Sequence, residues 1–116
     1  MDSTWAMFEA RELGVDLSLE GDDIAAKPAS RITPELREAI RTNKELLLKD
    51  LLLQDALRYM AERYEPGVNL GVLAPYEDRI NELYHHPATL KEYRAEIREY
   101  VKAGLREFHR VRNAAA

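Results

Sequence analysis

Leu13-Gly14-Val15-Asp16-Leu17-Ser18-Leu19-Glu20-Gly21-Asp22-Asp23-Ile24-Ala25-Ala26-Lys27 is the stretch from which the architecture of this chain can be worked out. Val15, Leu17 and Leu19 alternate with Asp16, Ser18 and Glu20. Successive side chains of an extended backbone point to opposite faces, so a period of two predicts a half-buried strand. Gly21-Asp22 supplies a turn, because glycine reaches positive φ without a Cβ clash. The chain then returns from Asp23 to Lys27 with Ile24 and Ala26 inward, which makes a two-stranded hairpin.

On either side of the hairpin the period becomes helical. Residues 3–13 read as a short helix, with Ser3 or Thr4 as its cap, Trp5 and Phe8 one turn apart, and Gly14 as its stop. Pro28-Ala29-Ser30-Arg31 is a connector. Thr33-Pro34-Glu35 is a strong helix start: a hydroxyl cap, proline at the first helical position, then an acid that the helix dipole favours. Leu36, Ile40 and Leu47 share a stripe, and Thr42-Asn43 predicts a break, with Asn43 capping a second helix.

Leu46-Leu47-Leu48-Lys49-Asp50-Leu51-Leu52-Leu53 opens that second helix. At 100° per residue its leucines fall at about 0, 100, 200, 140, 240 and 340°, most of the circumference. Such a helix has to be covered on more than one side, as a central core helix or, in part, as the seam of a homodimer. It continues through Leu57, Met60 and Tyr64. Residues 65–75 (EPGVNLGVLAP) break the pattern as a linker or a packed loop, since Val68, Leu70, Val72 and Leu73 are apolar. Tyr76, Ile80, Leu83 and Tyr84 mark a short helix that His85-His86-Pro87 ends. Leu90, Tyr93, Ile97, Tyr100, Val101, Gly104, Leu105, Phe108 and Val111 form the stripe of a last helix, with Thr89 or Ala88 before it.

The expected fold class is therefore α+β and mostly helical: α-ββ-α-α, followed by two C-terminal helices. The expected divisions are residues 1–64, a connecting segment 65–75, and a helical extension 76–116.

Charge is distributed unevenly. Residues 1–23 hold seven acids against Arg11, residues 27–49 hold six bases against three acids, and residues 59–116 hold nine of each sign. The acidic leading segment and the basic one after it either attract each other within the fold or form a dipolar surface that orients a charged partner. The 116 residues carry a net charge of −4, which argues against bulk attraction to nucleic acid or anionic lipid. There is no cysteine, so disulfides and thiolate metal sites are excluded. No apolar run approaches the ~20 residues of a transmembrane helix, and Met1-Asp2-Ser3 is unlike a secretory signal; a cytoplasmic protein is the expectation.

The order Leu13-Gly14-Val15, Leu17, Leu19, Gly21-Asp22, Ile24, then Ile32-Thr33-Pro34-Glu35-Leu36, Ile40, Lys44 and Leu47-Leu48 resembles the TubC-type N-terminal docking domain of nonribosomal peptide synthetase and hybrid polyketide subunits. The resemblance covers roughly residues 3–55, about half of the chain. It implies a helix–hairpin–helix–helix fold that captures a short linear segment of a partner chain along the hairpin. Carried onto this sequence, the partner-binding candidates are Asp16, Ser18, Glu20, Asp23, Ala25 and Lys27, with Arg31, Arg37 and Arg41 flanking the groove. In that family a condensation or ketosynthase module comes next, whereas residues 56–116 here read as helical. The expectation is a docking or adaptor protein without catalysis.

The remaining chemistry-bearing residues are sparse. Adjacent His85 and His86 diverge by about 100° on a helix and cannot chelate as an i, i+4 pair. Asp22-Asp23 with Glu20 lacks the calcium-loop spacing. No nucleophile stands beside a base, and the five glycines form no phosphate cradle, so neither metal, cofactor nor enzyme activity is expected. Arg98, Lys102, Arg106 and Arg110 recur every four residues as a basic stripe. They either complement the helix dipole or contact phosphate or an acidic partner. The second reading of function is accordingly a nucleic-acid-associated accessory protein of a phage or other mobile element.

Overall fold

The structure is a computed structural model that describes residues 1–85 and 89–115. Its elements run α1 (Ser3–Glu12), β1 (Asp16–Glu20), β2 (Asp23–Lys27), α2 (Pro34–Thr42), α3 (Lys44–Ala61), α4 (Ala74–His85) and α5 (Leu90–Ala115). Short 3-10 turns lie at Ala29–Arg31 and Leu70–Leu73. The described residues are thus mostly helical with one antiparallel hairpin, the α+β order expected. They fall into two compact units, residues 1–51 and 52–116, divided within α3.

In residues 1–51 each helix end has a local cause. Asp2, and not Ser3 or Thr4, caps α1: its carboxylate accepts the Trp5 N–H at 2.9 Å, while Ser3 is already helical and buried. At the other end Gly14 takes φ 70°, the Val15 N–H donates to the Ala10 carbonyl at 2.7 Å, and the Gly14 N–H donates to that of Arg11 at 3.1 Å. This pair of bonds closes the helix as a Schellman motif and turns buried Val15 into the core. The Thr33 hydroxyl accepts the Leu36 N–H at 3.2 Å and Pro34 opens α2, as expected.

The predicted break falls at Asn43, but its side chain acts differently from the expected cap. The amide donates backwards, to the Ala39 carbonyl at 2.8 Å and to the Met1 carbonyl at 2.9 Å. Only its backbone carbonyl serves α3, accepting the Leu47 N–H at 2.9 Å. A carbonyl end left bare by α2 and a nearby chain terminus are both acceptors, so the donor half of the amide is what the site needs. Ala6, Ala10, Val15, Leu36, Ala39 and Leu47 form the buried centre of this unit, with Trp5, Leu17, Ile24 and Ala26 packed around it.

Residues 52–116 have their own core. It is built on Ala56, Met60, Leu73, Ile80, Tyr93 and Phe108, with Leu52 and Leu53 packed against it. Along the leucine run of α3, Leu47, Leu48 and Leu51 are buried and Leu46, Leu52 and Leu53 half-buried. The segment between α3 and α4 is packed, with Val68 and Leu73 buried. Glu107 of α5 holds it, accepting the Asn69 N–H at 3.1 Å and pairing with Arg110, and Arg112 reaches Glu65 at 3.2 Å. The Arg110 guanidinium, then the Asn69 N–H, hold the Glu107 carboxyl below its ordinary 4.5. The Thr89 hydroxyl caps α5 by accepting the Glu92 N–H at 3.2 Å. The parts of these expectations that fall on His86, Pro87 and Ala88 lie outside the described residues.

Candidate docking face

The hairpin register decides how the candidate residues are presented. Asp16 pairs with Lys27, Ser18 with Ala25, and Glu20 with Asp23, while Leu17 pairs with Ala26 and Leu19 with Ile24. Directly opposed residues in an antiparallel pair share a face. The six candidates Asp16, Ser18, Glu20, Asp23, Ala25 and Lys27 therefore lie together as three cross-strand pairs, all exposed but half-buried Ala25. The alternate face, bearing Leu17, Ile24 and Ala26, packs on the core.

A two-residue turn also sets which backbone groups stay unpaired. Glu20 and Asp23 close the turn and exchange ladder bonds, so the N–H and C=O groups of Leu17, Leu19, Ile24 and Ala26 are directed to the two outer edges. The sheet has only these two strands among the described residues. The Asp23 carboxylate takes one outward donor, the Ile24 N–H, at 2.9 Å.

The electrostatics of the face are asymmetric along the strands. At the far end Asp16 stands opposite Lys27, whereas at the turn Glu20 stands opposite Asp23. Like charges directly opposed are destabilising. Lys44, the first residue of α3, offsets this with its ammonium 3.1 Å from Asp23. The Ile24 N–H and then Lys44 hold the Asp23 carboxyl below its ordinary 3.8. Lys44 is a charged neighbour of this face that does not belong to the nine candidates drawn from the sequence. Its sequence signals were its place one residue after the break at Asn43 and its position among the residues that carry the family resemblance.

The flanking arginines are placed differently from one another. The guanidinium of Arg31 stands 2.7 Å from where a Cβ on Gly14 would be, against the α1–β1 turn. Arg37 and Arg41 are exposed on α2, which packs on α1, and Arg41 pairs with Glu38 at 3.4 Å.

The basic stripe of α5 is largely engaged within its own unit. Lys102 pairs with Glu99 at 3.4 Å, Arg106 donates to the Tyr76 hydroxyl at 3.4 Å, and Arg110 binds buried Glu107. Arg98 is exposed. His85 ends α4, exposed, with its ring edge-on to Tyr84 at 5.2 Å between centroids. Among the described residues no three His, Asp or Glu side chains converge on a point that could hold a metal ion. No described helix is long and apolar enough to cross a membrane.

Residues 7–54 match the family model of the TubC N-terminal docking domain. The match spans the hairpin, α2 and the first part of α3, and bears out the resemblance read from the sequence. A docking-domain family points to a protein–protein docking role and so to a protein partner. Among curated proteins and among solved structures nothing matches.

Proposed function

We propose that residues 1–51 form a non-catalytic, cytoplasmic docking module that captures a short linear segment of a partner protein along the β-hairpin. The observation that carries this reading is the register: six candidate side chains fall on one presented face, beside strand edges that an extended peptide can join by main-chain hydrogen bonds. The Glu20–Asp23 end favours a basic residue of the incoming segment and the Lys27 end an acidic or neutral one, which sets its direction. Arg31, Arg37 and Arg41 flank the path. The family match to residues 7–54 supports the same reading.

The test begins with co-purification from the native host, followed by direct titration of the recovered partner's terminal peptides. Asp16→Lys with Asp23→Lys should weaken capture about tenfold or more, as should Arg37→Glu with Arg41→Glu. All four side chains are exposed, so the circular dichroism of the variants should match that of the parent. Undiminished affinity in both double variants would remove the reading.

A further inference from the structure

Residues 52–116 carry a second concave surface that the hairpin reading does not use. An open groove of about 360 Å³ runs between the end of α3, the Leu70–Leu73 turn, α4 and α5. Leu57, Tyr64 and Leu70 line it with 45%, 50% and 52% of their surfaces exposed. Met60, Leu73 and Phe108 are its buried floor. Large apolar side chains gathered around one concavity mark an interaction site more often than scattered exposed ones do.

One polar pair interrupts the apolar lining. The Tyr100 hydroxyl donates to the Glu77 carboxylate at 3.3 Å. Burial, then the Glu77 charge, push the Tyr100 phenol from 10.0 up to about 12, so the phenol keeps its proton and remains the donor of this bond at neutral pH. Several acids of this unit have cations, Glu82 with Arg79, Glu99 with Lys102, Glu107 with Arg110 and Glu65 with Arg112, and among the unit's acids that have none only Glu77 lines this groove. No Lys or Arg lies within ion-pair distance of Glu77 among the described residues. An oriented carboxylate without a cation, set in an apolar groove, is complementary to an apolar segment that brings one.

The fold also selects the conformation of that segment. Among the described residues 52–116 contain no strand, so an extended peptide would find no ladder for its backbone groups against an apolar wall. A helix satisfies its own backbone and needs only side-chain contacts. We propose that this groove docks an amphipathic helical segment of another protein, one that presents two bulky apolar side chains a helical turn apart and a Lys or Arg to Glu77. This site is independent of the hairpin and stands or falls separately from it.

The probe is a random peptide library displayed on phage and panned against the full-length chain, with enriched sequences then synthesised and titrated. Enriched peptides should share apolar residues at i and i+3 or i+4 with a Lys or Arg, and gain helical circular dichroism on binding. Glu77→Lys should weaken them about tenfold or more, and Leu57→Ser with Leu70→Ser similarly, while Asp16→Lys with Asp23→Lys should leave affinity unchanged. Leu57 and Leu70 are exposed, so loss of binding in that variant is not loss of fold. Absence of enrichment, extended or cation-free binders, or binding indifferent to both groove variants would overturn the proposal. So would a concentration-dependent dimer in sedimentation that Leu57→Ser abolishes, since the occupant would then be a second copy of this chain.

The same pair makes a pH prediction. A phenol whose folded value lies above its unfolded one contributes stability that is fully present below pH 10.0 and is lost as pH rises towards about 12. A phenolate absorbance titration should show a step near 12 that Tyr100→Phe removes, and Glu77→Gln should bring it part of the way back, burial being the larger cause. A spectrum unchanged by Glu77→Gln would contradict the pairing.

Discussion

Leu36→Ala is expected to destabilise residues 1–51 by about 2–5 kcal/mol, the range for truncating a large buried aliphatic side chain to alanine. Leu36 is 0% exposed and lies in the buried centre with Ala6, Ala10 and Leu47. The alanines on α1 are too small to move into the space, so most of the cavity remains. Stability of about 0.05–0.15 kcal/mol per residue gives a unit of this length only ~3–8 kcal/mol, so this one change removes much of it. Trp5, the sole tryptophan of the chain, packs on the same cluster and reports the change directly. The urea midpoint followed by its fluorescence should fall sharply, and partner capture should fall with it. A midpoint within error of the parent's would show that Leu36 is not the keystone of this core.

Tyr93→Ala is expected to cost residues 52–116 about 3–5 kcal/mol, the range for removing a buried aromatic ring. Tyr93 is 0% exposed at the start of α5, and its ring meets that of Tyr84 on α4 at 6.5 Å between centroids with a 56° tilt. The ring pair adds ~0.5–1.5 kcal/mol beyond the area it buries. Hydrogen exchange should show α4 and α5 amides losing protection, and Tyr93→Leu, which keeps most of the apolar volume, should be milder. Equal protection in the alanine variant would mean that α4 and α5 are held by other contacts.

These two positions were legible before any coordinates, but in different senses. Leu36 follows a hydroxyl cap and a first-turn proline and sits on the inward stripe of its helix, so its burial follows from period alone. The same holds for Tyr93 on the long stripe of α5. The hairpin was as clear, because a strict alternation of Leu with Asp, Ser and Glu leaves one register that buries the leucines. By contrast, nothing in the local sequence distinguishes Asp2 from Ser3 or Thr4 as a cap. That choice rests on Ser3 being drawn into the buried side of α1. Nor does the residue type of Asn43 say which half of its amide is used. The answer depends on the Met1 carbonyl, 42 positions away in the chain.

The candidate sites divide along the same line. Periodicity and turn chemistry, both local properties of the chain, were enough for the order of elements, the exposed face of the hairpin and the segregation of acids from bases. Lys44 beside Asp23, Glu107 beneath Asn69, and Glu77 with Tyr100 in an apolar groove came only from the tertiary structure. A period states which way a side chain points from its own helix or strand. Whether the group it meets is a cation, an amide or a wall of leucines depends on how elements distant in sequence pack, and that packing is specified by many small contacts acting together.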